Sequence, residues 1–385
     1  MYKKLMRDVT PYNNISSFMA FRSDDERAAY EDVHDFNKNW FDRASNPEFR
    51  QYEQNICKFV QKLHNNYFEW GFLTVDSSEA IYCALLIYLL RFKKRAANSR
   101  PNLVISKLGH VAYKKAAVLL GFEIHEVDVL DNGEISLTDL VNQIDSETFI
   151  VIALAGTTAL GSYDNIVQMD KICQEMGVSL HIDAAIGGFI YPFRADSKVP
   201  SDFKKCSSVV SVNVSGHKYG YSRPSIAILL FKNKGLLPKK FYSFSIPYLN
   251  GKDTEEYGLM GSKSPIGLID LNFNVSAWGQ KGYKGIVAET FRQKERLIKI
   301  LRQFSELEII DSNNTPIFLI SGDEALLIRL SEYLKDKDWY NSFNKLFKDK
   351  ASIRIVVRKH FDDAYVDSLI EAFTGFFESV KAENL

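Results

Sequence analysis

A chain of 385 residues is long enough for two or three domains, or for one large and one small. Its 46% hydrophobic and 25% charged residues are the mix of an ordinary soluble globular protein, and 48 Lys plus Arg balance 48 Asp plus Glu, which gives no reason to expect nucleic acid or an anionic membrane as partner. Four scattered cysteines without a C-x-x-C pair suit a reducing cytosol, and neither they nor the seven histidines have the spacing of a metal site, so no metal is expected.

From the N-terminus, Met1-Tyr2-Lys3-Lys4-Leu5-Met6-Arg7-Asp8 lacks the apolar core of a secretory signal. The longest apolar run, Ala80 to Leu90, falls far short of the roughly 20 residues a membrane span needs, so a cytoplasmic location is expected. Ser23 is placed to cap a helix with Asp24, Asp25 and Glu26 in its first turn; Tyr30, Val33, Phe36 and Trp40 follow at helical spacing, which predicts a helical arm to about Asn66. Aromatics at that spacing serve packing or a subunit interface. The stretch Gly71 to Ala80 leads into a helix through Leu90 that stops at Arg91-Phe92-Lys93-Lys94-Arg95. Ser77 and Ser78 at its start are either a plain N-cap or an anion site built from hydroxyls and free N–H groups.

Leu103-Val104-Ile105 reads as a strand ending near Gly109-His110, with a helix after it; His110 on its own is an ordinary loop residue. Phe122 to Val127 alternates as a strand, Asp131-Asn132-Gly133 turns the chain, and Ser136 caps a helix to Ile144. Phe149 to Leu154 is a buried strand feeding Ala155-Gly156-Thr157-Thr158, and Asp164 is placed to cap a helix to Met176. Alternating strand and helix at this pace predicts a parallel α/β sheet with right-handed crossovers, whose ligands sit at the carboxyl ends of the strands.

Around Ser179–Lys218 the chemistry concentrates. A short strand, apolar at Leu180 and Ile182, delivers Asp183 and then Ala184 and Ala185; after a second apolar run from Val209 to Val212, Ser215, Gly216 and His217 precede Lys218. A carboxylate at the mouth of a strand needs a cationic partner or strong donors. The pair is a buried Asp–Lys ion pair, two unrelated loop residues, or a two-point site. In the last case the Asp holds a protonated ring nitrogen and the Lys forms an imine, the two tasks a protein performs for pyridoxal phosphate.

Beyond Lys218 lie a strand from Ser225 to Phe231 and an aromatic- and glycine-rich segment from Phe241 to Ser264 with the make-up of a lid. Trp278 to Tyr283 opens a long helix from Ile286 to about Ser305. Leu307 to Ile310, Ile317 to Ile320 and Ser352 to Val357 then read as strands with helices between and after. Arg354 and Arg358 alternate on one strand face, either a solvated surface or a contact for a substrate carboxylate.

His181-Ile182-Asp183-Ala184-Ala185 with Gly187-Gly188-Phe189, followed by Ser215-Gly216-His217-Lys218, resemble the pyridoxal-phosphate-dependent group II amino-acid decarboxylases. The wording Val214-Ser215-Gly216-His217-Lys218 is most similar to the histidine- and serine-decarboxylase branch. The motifs cover roughly residues 70 to 285. The resemblance implies an α/β, aspartate-aminotransferase-like (fold type I) architecture. It comprises an N-terminal helical arm (1–66), a large mixed or parallel-sheet domain that binds the cofactor (67–279), and a small C-terminal α+β domain (280–385). It also implies a homodimer with the active site at the interface, pyridoxal 5'-phosphate as cofactor, and decarboxylation of an L-amino acid to its amine and carbon dioxide. The alternatives are another lyase or transferase reaction on the same site, or a catalytically impaired homologue.

Carried over residue by residue, the resemblance gives Lys218 the cofactor and Asp183 the ring nitrogen. His110, in a stretch similar to His-x-Ser-x-x-Lys-Ala, would stack on the ring, and Ala185 would be small enough for the ring to lie against. Thr74, Ser77 and Ser78 would hold the phosphate in a Thr-x-Gly-Gly-Thr-Glu-like stretch where Asp76 and Ser77 stand in place of glycines. Thr157, in Gly156-Thr157-Thr158, would face the cofactor edge, and Ser215 and His217 would crowd it. Ser262, in Gly261-Ser262-Lys263, stands in a Gly-Ser-Arg-like stretch in which Lys263 replaces the arginine. Tyr248, in Pro247-Tyr248-Leu249, matches the family's loop tyrosine and would return a proton to the reacting carbon; on its residues alone it is equally a packing aromatic.

Overall fold

A computed structural model of the chain describes residues 14–17, 38–42, 45–96, 98–195, 199–200, 202–242 and 257–383. In chain order its larger part contains α1 (Pro47–Leu63), β1 (Trp70–Thr74), α2 (Ser77–Arg95), β2 (Asn102–Ser106), α3 (Val111–Leu120), β3 (Glu123–Val127) and α4 (Leu137–Gln143). It continues with β4 (Thr148–Leu154), α5 (Ile166–Glu175), β5 (Leu180–Asp183), β6 (Val209–Ser215) and β7 (Ala227–Phe231). The strands form one seven-stranded sheet in the order β1-β7-β6-β5-β4-β2-β3. β2, β3, β4, β5 and β6 pair in parallel, while β7 is antiparallel to both β1 and β6.

The strands are apolar on both faces because helices cover both, as a parallel sheet requires. Every residue of β2, β4, β5, β6 and β7 is buried. Alternate side chains go to opposite layers. Leu103, Ile105, Ile150 and Ile152 pack with Ala84, Leu85 and Tyr113 of α2 and α3. Val104, Val151 and Ala153 join Phe49, Ile56 and Val60 of α1 on the other side.

A helical run, α6 (Ile266–Leu301), leads into β8 (Leu307–Ile310), β9 (Ile317–Gly322), α7 (Glu324–Asp336), β10 (Phe343–Phe347), β11 (Lys350–Val356) and α8 (Asp363–Glu383). These strands make an antiparallel sheet in the order β10-β11-β9-β8, with its own core of Leu297, Phe318, Ile320, Ile355, Phe373 and Phe376.

Four expectations are corrected. The arm is not one continuous helix: Trp40 is buried in a turn, and α1 starts only at Pro47, whose ring cannot donate to a preceding turn; Ser23 to Phe36 lie outside the described residues. α2 runs on through Arg95, where Lys93, Lys94 and Arg95 complement its carbonyl end rather than stop it. The long helix expected to open after Trp278–Tyr283 is broken at Gly279 (φ 54°), but helix precedes that break as well as follows it. Asp164 does not cap α5; Asn165 does, and Asp164 is fully buried, accepting from Leu154 N–H (2.7 Å) and Ile135 N–H (2.9 Å), with burial pushing its carboxyl up to about 7.

Candidate active site

Parallel strands end on one edge of a sheet, so residues that follow them meet there. Asp183 closes β5, Ser215 closes β6 and Lys218 lies in the turn beyond. Thr157 follows β4, and His110 is the N-cap of α3 after β2. The structure brings Ser77, His110, Thr157, Asp183, Ala185 and Lys218 to the wall of one cavity. The Lys218 turn is closed tightly: a Cβ on Gly220 would come within 2.4 Å of Gly216 O. Asn274 Nδ2 (3.1 Å) and Tyr283 Oη (3.0 Å) both donate to Gly220 O, which ties the turn to α6.

Burial pulls the Lys218 amine down to about 8 against the opposing pull of Asp183, and the Arg354 guanidinium adds to the lowering. An amine so placed is a nucleophile near neutral pH. Burial, and then Lys218, hold the His110 imidazole below its ordinary range, so it is a neutral ring. Asp183 is ringed by donors: Ala185 N–H (3.1 Å) and Asn213 Nδ2 (3.0 Å) reach Oδ1, and Tyr113 Oη (3.1 Å) reaches Oδ2.

The start of α2 also reaches the cavity wall, through Ser77. Asp76 caps the helix, accepting from Glu79 N–H at 2.8 Å, so the carboxylate that replaces a family glycine is engaged by the backbone. Glu79 in turn accepts from Val75 N–H (2.7 Å), Leu259 N–H (2.6 Å) and Met260 N–H (2.9 Å), which pins the end of the 257–264 segment to the helix start. Ser77 Oγ is buried with no hydrogen-bond partner among the described residues. A buried hydroxyl without a partner, at a helix start whose first N–H groups have no internal acceptor, fits an anion such as a phosphate. The chemistry around the cavity therefore fits pyridoxal phosphate: an amine, a carboxylate held by donors, a neutral imidazole, a small floor at Ala185 and a phosphate cradle at Ser77.

The remaining expected residues stand outside that wall. Thr74 is fully buried and donates to Asp76 O at 2.8 Å. Ser78 is half-buried behind Ser77. Ser215 Oγ lies 3.4 Å from the His217 ring, whose pKa burial lowers. Ser262 is exposed and accepts from Asn39 Nδ2 at 3.3 Å. Tyr248 lies outside the described residues.

Arg354 is not on a solvated face. Its guanidinium reaches Thr158 O (2.7 Å) and Ser16 O (2.8 Å), its Nε is buried, and it acts electrostatically on Lys218. Arg358 is buried too, at 1% exposure, and donates to Asn14 O. Sequence reasoning also missed Tyr113, His181 and Asn213. The signal for two of them was present: Ser211, Asn213 and Ser215 alternate as polar residues in an apolar strand, opposite His181 and Asp183.

Among the described residues no helix is long and apolar enough to cross a membrane, and no group of three His, Cys, Asp or Glu could hold a metal ion. A family model described as the pyridoxal-dependent decarboxylase conserved domain matches residues 30–320. A glutamate decarboxylase of Lactococcus lactis subsp. lactis is 29% identical over 350 residues, 84% of this chain and 74% of the relative. A probable L-aspartate decarboxylase of Archaeoglobus fulgidus is 27% identical over 276 residues, 71% of each chain. The solved structure of Lactobacillus brevis glutamate decarboxylase superposes with a TM-score of 0.88 at 25% identity, covering 98% of this chain and 91% of that one.

Proposed function

The chain belongs to the pyridoxal-dependent decarboxylase family and is a pyridoxal-phosphate-dependent amino-acid carboxy-lyase, and we propose from that premise that its substrate is an acidic L-amino acid, glutamate or aspartate. Relatives named glutamate decarboxylase and L-aspartate decarboxylase support that class, others are named L-tyrosine/L-aspartate decarboxylase, and with such names the Val214–Lys218 wording does not by itself mark the histidine and serine branch. The Arg354 guanidinium is buried and acts on Lys218, while its amino groups donate to Thr158 O and Ser16 O.

Pyridoxal phosphate, when bound, supplies the electron sink for the pair left behind as carbon dioxide departs. Lys218 would bind it through the ε-amine, and Asp183 would hold the proton-bearing ring nitrogen. His110, as a neutral ring, would cover one face, with Ala185 and Thr157 bounding the other side and edge. Ser77 and the first N–H groups of α2 would take the phosphate, helped by Thr74 and Ser78; Ser215, His217 and Ser262 would complete the surround. Tyr248 would give a proton to the carbon that loses carbon dioxide. The proposed organisation is a cofactor domain over 67–279, a smaller domain over 280–385, an arm over 1–66, and a cytoplasmic homodimer with the site at its interface.

The observation that carries this reading is one cavity wall holding Lys218, Asp183, His110 and the partnerless Ser77 hydroxyl. The test is release of carbon dioxide and amine from each common L-amino acid with added cofactor. Glutamate or aspartate should lead. Release only from aromatic or basic amino acids sinks the acidic class, and amino-group exchange without carbon dioxide sinks decarboxylation itself.

A further inference from the structure

Behind Asp183 runs a chain of buried hydrogen bonds that the reaction as described leaves unused. Tyr88 Oη meets Ser211 Oγ at 2.7 Å, Ser211 Oγ meets His181 Nδ1 at 2.7 Å, His181 Nε2 meets Asn213 Oδ1 at 2.8 Å, and Asn213 Nδ2 reaches Asp183 Oδ1 at 3.0 Å. The four relay residues are at most 4% exposed. Strand register sets the spacing, since His181 lies opposite Ser211 and Asp183 opposite Asn213 across β5 and β6.

The direction of each bond follows from its end. A carboxylate only accepts, so Asn213 turns its amide nitrogen to Asp183 and its oxygen to His181. That oxygen only accepts, so His181 carries its proton on Nε2. Burial keeps the imidazole neutral, so Nδ1 accepts from Ser211, whose oxygen then accepts from Tyr88. All the donors in the relay point toward Asp183, and Tyr113 Oη and Ala185 N–H add two more from other directions. A buried polar chain is costly unless fully satisfied, and aligned bonds polarise one another. Packing alone would be met more simply by apolar residues.

We propose that Tyr113 and the relay Tyr88–Ser211–His181–Asn213 are positioning residues that, by saturating Asp183 with donors, orient its carboxylate as an acceptor and so keep the shared proton on the cofactor's ring nitrogen. Donors aimed at a carboxylate favour its charged form. The proton then stays where it strengthens the electron sink. The inference rests on the cofactor reading above.

The experiment loads the full-length protein with pyridoxal phosphate labelled with nitrogen-15 in the ring and records the ring-nitrogen resonance for wild type, Tyr113→Phe and Ser211→Ala. Kinetics and cofactor affinity are measured beside it. Wild type should show the protonated-nitrogen position. Tyr113→Phe, which removes one hydroxyl and keeps the ring, should move the resonance toward the neutral position and lower kcat about tenfold with KM unchanged. Ser211→Ala cuts the relay farther from Asp183 and should move it the same way by less. A protonated resonance that stays in place in both variants overturns this inference and leaves the cofactor reading standing. A wild-type chain that takes up no cofactor overturns both.

Discussion

The two sides of the cofactor cavity are built on opposite principles. Around Asp183 the polar atoms are paired within the protein: three donors reach the carboxylate, and three further buried residues stand in line behind one of them, Asn213. At the start of α2 the carboxylates of Asp76 and Glu79 are taken up by backbone N–H groups, while the Ser77 hydroxyl has no partner among the described residues. The first side is preorganised and pointed, as a group that must act on developing charge should be. The second side leaves a buried hydroxyl without a protein partner among the described residues, which suits an anion. Damage to the Asp183 side should therefore appear in turnover, and damage to the Ser77 side in affinity for the cofactor.

Loss of Lys218 should have the largest effect. Lys218→Ala should lower kcat on the order of a thousandfold or more, as for other covalent groups, and release the cofactor on gel filtration. In wild type, borohydride reduction followed by peptide mapping should place the pyridoxyl mass on Lys218; a label on another lysine overturns the assignment. Because burial holds this amine down to about 8, it is charged below that pH and free above it. Capture of cofactor by the apoprotein should thus quicken as pH rises through about 8. An inflection in the range of an exposed lysine, about 10.4, would contradict the burial argument.

Next comes Asp183→Asn, which keeps the shape and removes the charge. It should bind cofactor and lose about a hundredfold or more in kcat. Near-normal turnover would erase the contrast between the two sides.

On the other side, Ser77→Ala should weaken cofactor binding about tenfold, measured as Kd by absorbance titration, with kcat nearly unchanged at saturating cofactor. A fall in kcat at unchanged Kd would show that the two sides are not separable. The smallest effect is expected from Asp76→Asn. Asn caps a helix about as well as Asp, so the melting temperature should hold while loss of the negative charge tightens cofactor binding a few-fold. Weaker binding in this variant would mean that the Asp76 charge itself is needed.

Much of this was legible from local patterns. Continuous apolar runs, from Leu103 to Phe231, carry the sheet because a strand covered by helices on both faces is buried along its whole length. The ends of those runs carry His110, Thr157, Asp183 and Lys218, and only one geometry puts the ends of parallel strands together. Local patterns failed where a residue's partner is remote in the chain. Trp40 has helical spacing with the aromatics before it, yet it is held in a turn by a backbone bond to Lys263 O and a side-chain bond to Glu53. Asp164 has the look of a cap, but the N–H groups it meets belong to β4 and to Ile135. Arg354 alternates like a surface residue, and its partners are Ser16 and Thr158, far away along the chain.

By itself, then, the amino-acid sequence determined the α/β class and the order of most elements and marked the candidate site residues, because hydrophobic period, turn chemistry and short motifs are properties of neighbouring residues. Only the tertiary structure decided how those residues are tuned. The lowering of the Lys218 amine comes from burial under elements on either side of it, the donors on Asp183 come from α3 and β6 as well as the adjacent backbone, and the orphaned hydroxyl of Ser77 is a matter of what does not reach it. Each depends on desolvation and on distances between segments remote in sequence, and these exist only once the chain has closed around the site.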